Sequence, residues 1–556
     1  MKLRILFGAV SITGASVLAL ACSVTTNDGG PEGGSSGSSG SSGTSGGASG
    51  TSGTSGGASG TSGTSGTSGS SGTSGSSGTS GTSGTSGTSG SSSGGPPKNA
   101  KLRAGDTGGI IGITTDAAPH VVYYVVNGAA FDVEAAPVAG GAPVVIQASI
   151  ADNDFAFVSG GAVAWYTGTD AGGRSGLAPT INIWTKASGK KTVATATRAG
   201  LFAASPDGTL VAFSTNATAD TTDLAVTTAA APSAATPALA GANAVNYASA
   251  VAGAAAATCV PRIRFAGTTL VGAYCTGVDP TATQAKLVTV ASGAAAVVRI
   301  DNAVAADSIQ PLWFADTTGT KLFVVGPAPA NEGRVVVSTG AATTVAAVDS
   351  PIASASVAKD GSAVVYTTGG ALKKATFAAA PVVTSIIPTG VLALLGMSAD
   401  SKKALFSTQE DAANSTNDAK SVDVTAAAPV AAVILATPTG TGFEFTGDGS
   451  QVIYLAELGQ ASGKLKSKPA AGGAEKILDA ASLGGFAAPV GTGVLTLSAV
   501  SQADSSWTVK YVDAAAGGAL QAGASDILAD DWLWSGKSFV HTNVGATPGI
   551  YALTLP

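Results

Sequence analysis

Along residues 97–556 one pattern of polar and apolar positions keeps returning. A turn rich in Asp and Gly leads into a short strand of alternating apolar residues, which ends in an aromatic and a Ser or Thr. Four copies are clear: Ser205-Pro-Asp-Gly-Thr-Leu-Val-Ala-Phe-Ser-Thr215, Ala358-Lys-Asp-Gly-Ser-Ala-Val-Val-Tyr-Thr-Thr368, Ser398-Ala-Asp-Ser-Lys-Lys-Ala-Leu-Phe-Ser-Thr408 and Thr446-Gly-Asp-Gly-Ser-Gln-Val-Ile-Tyr-Leu-Ala456. Weaker copies lie around Asp116 to Val126, Ser159 to Gly168, Ala266 to Thr276, Ala315 to Gly326, Val490 to Ala499 and Trp534 to Asn543, which makes ten candidates. A second strand follows most of them, as at Ile181 to Lys186, Asp223 to Thr227, Ala371 to Ala375, Ser421 to Thr425 and Trp507 to Asp513. In each clear copy the turn suits Gly, which accepts positive φ, and Asp, which bonds nearby amides. The β-branched and aromatic residues after it suit a pleated surface.

These strands predict an all-β fold. A repeat of about 40 to 60 residues points to propeller blades, because a four-stranded sheet of that size bares an apolar face on each side and stacked neighbours cover it. A β-sandwich with coincidental turns is the alternative, and it does not explain the shared phase of the turns. The units resemble the WD40-like repeats of TolB-type β-propellers, which read Ser-Pro-Asp-Gly followed by a strand such as Ile-Ala-Phe-Ser. The resemblance is specific at the four clear copies and loose at six, and the Trp-Asp ending of true WD40 blades is not repeated. It implies a β-propeller of about seven to ten blades, eight to ten being favoured, in one ring or two. The stretch from Asn216 to Phe265, with the Ala-rich 248–257, reads as an insertion rather than a blade.

The chain before this region has a different character. Lys2 and Arg4 precede an apolar stretch from Ile5 to Leu20, broken by Gly and Ser and ending at Cys22, which is a signal peptide pattern and too short to span a membrane. Ala19, Leu20, Ala21 and Cys22 resemble a bacterial lipobox, in which the cysteine sulfur takes a diacylglycerol. Cleavage after Ala21 as an ordinary signal is the alternative. Residues 1–21 are thus expected to be a lipoprotein signal peptide and 22–28 a lipidated N-terminus. Residues 29–96 form a tether of Gly, Ser and Thr with nothing apolar larger than Ala besides its prolines, too polar to fold. Its root-mean-square span is roughly 45 Å, enough to hold residues 97–556 away from a surface. The expected location is the cell envelope, with the outer membrane favoured and the membrane reached through the N-terminal lipid.

Charge is sparse at 11% of residues, with a net of −6, so a basic footprint for nucleic acid is absent. With Cys22 assigned to lipid, Cys259 and Cys275 remain as a candidate disulfide in an exported protein. Closing a loop of about 16 residues would contribute roughly 3 kcal/mol. Two buried free thiols are the alternative, and the spacing does not suit zinc.

Catalytic chemistry is thinly represented. The only histidines, His120 and His541, lie in the first and last repeats and could meet if a ring joins its ends, although two unconnected histidines are the duller case. Gly-x-Ser-x-Gly occurs only inside the tether, where composition guarantees it. Acidic groups at Asp152 and Asp154, Asp411 to Asp418, and Asp530 and Asp531 lack the ligand spacing of a Ca²⁺ loop. No catalytic residue, metal ligand or cofactor site is therefore assigned. Trp532 and Trp534 flank Leu533 at a strand period of two, which places both rings on one face. Exposed, they would make a stacking platform for a sugar or a partner; buried, the favoured case, they close the last blade. Trp532, Trp534, His120 and His541 are the candidate ligand-facing residues. Two function classes follow. The first is a monomeric, non-enzymatic propeller that binds a protein, peptide or glycan. The second is a propeller hydrolase or lyase with a central-channel site. The scarcity of His and charge favours the first.

Overall fold

The computed structural model describes residues 96–556, apart from 106, 129, 151–155, 170–176, 219–220, 236, 240–244, 247–261, 276–283, 292, 304–311, 327–330 and 460–461. The leader, Cys22, the tether, Cys259 and the acidic pair Asp152 and Asp154 fall outside the described residues, as do the side chains of Cys275 and Asp530. No helix among the described residues is long and apolar enough to cross a membrane. The described residues are all-β, in six four-stranded and two seven-stranded antiparallel sheets.

Each seven-stranded sheet is two four-stranded sets that share one long strand. In Ala431–Phe445, Ala431 to Leu435 pair with the strand before and Gly440 to Phe445 with the strand after. Gln521–Ser535 is divided in the same way. Counted so, the described strands fall into ten units of four, beginning near residues 109, 156, 202, 262, 312, 354, 393, 440, 484 and 532. In nine of them the strands follow one another in chain order. The tenth is completed from the other end of the chain, because Lys98–Ala104 pairs antiparallel with Gly549–Thr554, from Lys98 opposite Thr554 to Ala104 opposite Gly549. Its one wholly apolar anchor is Leu102, 5% exposed.

All ten recurring strands of the sequence lie in the second strand of a unit. The turns before them share one hydrogen-bond pattern, seen at three of the clear copies. The hydroxyl of Ser205, Ser398 or Thr446 donates to the carboxylate of Asp207, Asp400 or Asp448, at 2.5, 2.6 and 2.8 Å. The same hydroxyl accepts the N–H that opens the strand, that of Leu210, Lys403 or Gln451, at 3.0, 2.9 and 3.1 Å. The Asn216 to Phe265 stretch is not simply an insertion. The third unit continues into it, with strands Thr221–Thr228 and Val245–Asn246.

Turns of neighbouring units are bonded to one another: Thr115 N–H to Gly160 O at 2.9 Å, Gly161 N–H to Ser205 O at 2.9 Å, and Asp448 N–H to Gly491 O at 3.1 Å. The backbones approach so closely that a Cβ on Gly447 would stand 2.2 Å from the Val490 nitrogen. Lys321 and Lys403 reach across to the Gly361 and Gly449 carbonyls at 2.7 and 3.0 Å.

Among the described residues buried apolar side chains form ten clusters, and each joins two consecutive units. One joins the last unit to the first: Leu533, Val540, Ile550 and Ala552 pack with Ile110, Val121, Tyr123 and Ala136. Period-two alternation explains this, since Val121 and Tyr123 face one neighbour while Val122 faces the other. Outer strands are mostly exposed, and their pairing carries bulges, as between Leu287 and Val288 and between Leu372 and Lys373, which interrupt the ladder near an open edge.

Candidate functional site

The four candidate ligand-facing side chains are inside the packing: His541 at 0%, His120 at 2%, Trp532 at 5% and Trp534 at 8% exposure. Trp532 and Trp534 do share one face, as their spacing predicts, and Leu533 faces the opposite way into another cluster. That shared face is covered. Both indoles lie 5.2 Å from the Phe539 ring, and Trp532 also lies 5.2 Å from Phe486 in the ninth unit and donates from Nε1 to Ala529 O at 3.0 Å. The rings close an aromatic seam and offer no platform to a sugar.

The two histidines do not come together. His541 shares the face of Phe539, turned toward the ninth unit, and stacks on Tyr551 at 5.8 Å with an interplanar angle of 13°. His120 shares the face of Val122, turned toward the second unit, and meets Trp184 edge-on at 5.9 Å. The pleat thus points them away from each other, on the outer sides of the two sheets that join the chain's ends. Neither ring nitrogen of His541 makes a hydrogen bond of good geometry, and burial pushes its pKa down to about 4, outweighing the upward pull of the nearby Thr542 backbone. Among the described residues no group of three or more His, Cys, Asp or Glu could hold a metal ion.

Two of the acidic residues serve the structure. Asp411 accepts the N–H groups of Ala413 and Asn414 at 3.1 and 3.3 Å and so caps its own hairpin. Asp531 accepts the Ile110 N–H at 2.8 Å and the Thr542 hydroxyl, which fastens the last unit to the first. Beside this junction lies a mainly apolar groove of about 350 Å³, lined by Ala117 to Pro119, Pro137 to Ala139, Ser535 and Ser538.

Sequence reasoning missed a recurring arrangement around the strand-end tyrosines. Tyr123, Tyr366 and Tyr454 each donate a hydroxyl to a carboxylate, Glu134 at 3.0 Å, Asp349 at 2.6 Å and Glu475 at 2.9 Å. Each carboxylate also holds a cation: Arg103 at 2.8 Å, Lys373 at 3.0 Å and Lys466 at 2.9 Å. Burial first, and then the neighbouring carboxylate, raise all three phenols above their usual range, so they stay protonated as donors. The available signal was the choice of Tyr rather than Phe at that position, together with a Lys directly opposite Tyr366 and Tyr454 across the sheet.

No family model and no curated protein matches the chain. Among solved structures it is similar to a eukaryotic initiation factor at 13% identity and a TM-score of 0.41, over 67% of this chain and 88% of that one. It is also similar to an oligogalacturonate lyase in complex with manganese, at 11% identity and a TM-score of 0.30, over 52% of this chain and 86% of that one. A third is TolB from Acinetobacter baumannii, at 16% identity and a TM-score of 0.23, over 41% of this chain and 61% of that one. Likenesses this distant lend no weight to an activity, a partner or a location.

Proposed function

We propose that this chain is a lipid-anchored β-propeller of ten blades in a single closed ring, serving in the cell envelope as a non-enzymatic binding module for a protein, peptide or glycan. One observation carries the ring: the cluster in which Leu533, Val540 and Ile550 of the last unit pack against Ile110, Val121 and Tyr123 of the first. Support for binding over catalysis comes from the site chemistry, because both histidines are buried apart and Asp411 and Asp531 serve the backbone. The groove at the junction and the loops between strands are the surfaces such a module would present. The anchor rests on Cys22 and the tether alone.

Two experiments test the proposal. Intact mass of the mature chain is expected to show acyl groups on Cys22, and a bare cysteine removes the anchor. The full processed chain, extracted in detergent and used as bait in envelope extract, is expected to retain a protein or glycan that competes off in soluble form. Failure to retain one, together with turnover of ester or uronate-polymer substrates by the same preparation, would turn the assignment to the hydrolase or lyase class.

A further inference from the structure

Glu444 sits where the two seven-stranded sheets meet, on the inner strand of the eighth unit. Its Oε2 accepts the Ala487 N–H of the ninth unit at 3.2 Å, so the carboxyl bridges the seam. The surroundings are apolar: Ile453, Leu465, Ala487, Val494 and Val512 form the cluster that joins these units. Three residues further on, Gly447 brings the two backbones into contact beside Val490.

The elements packed on this seam bring no counter-charge to it. Glu444 is the only charged residue of its own strand, and the strands Gln451–Ala456, Gly484–Ala487 and Gly493–Ser501 contain no Asp, Glu, Lys, Arg or His. The Tyr454 hydroxyl is given to Glu475. Lys464 and Lys466 are held by Glu457, and Lys468 and Lys476 by the backbone carbonyls of Ile434 and Ala515. Asp448 is bound within its own turn; Asp479 is bound by Thr496 and the Ala481 N–H, and Asp513 by Thr492 and the Ala515 N–H. Lys510 is exposed on the far strand.

We propose that Glu444 makes the seam between the eighth and ninth units sensitive to pH, closed while the carboxyl is neutral and loosened once it ionises. Glu444 is part-buried, and within the protein its carboxylate meets one donor, the Ala487 N–H, so ionisation there is less well compensated than in water. Burial accordingly raises its pKa to about 7, with the Ala487 N–H drawing it slightly back. Since that value lies above the 4.5 of a solvated carboxyl, the closed seam holds more protons than the open one. Its advantage is full below about pH 4.5 and fades as the pH rises through 7.

Hydrogen exchange of the full chain at pH 6 and pH 8, corrected for intrinsic rates, reads the seam directly. Amides of 484–495 are expected to lose about tenfold in protection between the two values, the ratio that linkage gives for those two pKa values. Amides at the seam of the second and third units, around Gly161, should not change. In Glu444→Gln, which keeps an acceptor for Ala487, the tenfold loss should vanish. Should that variant fold poorly, Glu444→Leu gives the same reading. Equal pH dependence in wild type and variant, or none in wild type, overturns the proposal.

Discussion

Ile110 donates its backbone N–H to the Asp531 carboxylate at 2.8 Å, joining residues 421 apart in sequence. The other oxygen of that carboxylate takes the Thr542 hydroxyl, so one buried side chain serves both sheets. Asp531→Ala leaves a buried N–H and a hydroxyl without an acceptor and should cost about 2 to 4 kcal/mol, at about 1 to 3 kcal/mol per orphaned group with partial relaxation. Asp531→Asn keeps one acceptor oxygen and should cost less. Denaturant midpoints of the two variants check the order; an alanine variant as stable as wild type would remove the carboxylate from the junction.

Gly447 and Gly128 separate two reasons for glycine. A Cβ on Gly447 meets the Val490 nitrogen at 2.2 Å, so Gly447→Ala must push two units apart and should cost several kcal/mol. Gly128 has φ +65° and open space around it, so Gly128→Ala should cost only about 1 kcal/mol of left-handed backbone strain. Thermal unfolding should rank them in that order.

Tyr366 and Phe213 occupy equivalent strand ends with different needs. Tyr366→Phe strands Asp349 with only Lys373 as partner and should destabilise by about 1 to 2 kcal/mol. Phe213→Tyr should also destabilise, because its fully buried ring packs among apolar side chains and the new hydroxyl would have to be buried there. If Phe213→Tyr proves neutral, the carboxylate does not govern the choice of ring.

His541 sets a pH dependence opposite in sign to that of Glu444. Its folded pKa of about 4 lies below the ordinary 6.5, so the stability it allows is full above pH 6.5 and falls as the pH drops toward 4. The slope in that window should approach about 1.4 kcal/mol per pH unit, and His541→Phe should flatten it while preserving the stack on Tyr551. Thermal scans from pH 4 to 7 would show the difference; identical profiles would place the acid sensitivity elsewhere.

The strands that carry a turn signal were legible, and so were several of the strands that follow them, as at Ala371–Thr376 and Ser506–Asp513, whereas the inner and outer strands were not. Second strands announce themselves through Asp, Gly and a terminal aromatic, as at Ser205 to Thr215, because turn chemistry and β propensity agree there. Inner strands such as Phe202–Ala204 are too short to show a period. Outer ones such as Ala342–Asp349 have no buried residue and carry no apolar alternation. Lys98–Ala104 was invisible for the same reason, since only the partner at the far terminus makes it a strand. The tryptophan pair could be placed on one face from its spacing, but whether a neighbouring unit covered that face depended on Phe486 and Phe539, remote in the first case from the local pattern. The separation of His120 from His541 followed from which side of the pleat each occupies, which closure of the ends alone does not determine.

The pairing of Lys98–Ala104 with Gly549–Thr554 also orders the molecule's assembly in time. The strand synthesised first among those described must wait for the one synthesised last, so completion of the tenth unit is a contact of nearly maximal sequence separation. Until residues 549–554 are made, Lys98–Ala104 has no strand to pair with and its edge stays open.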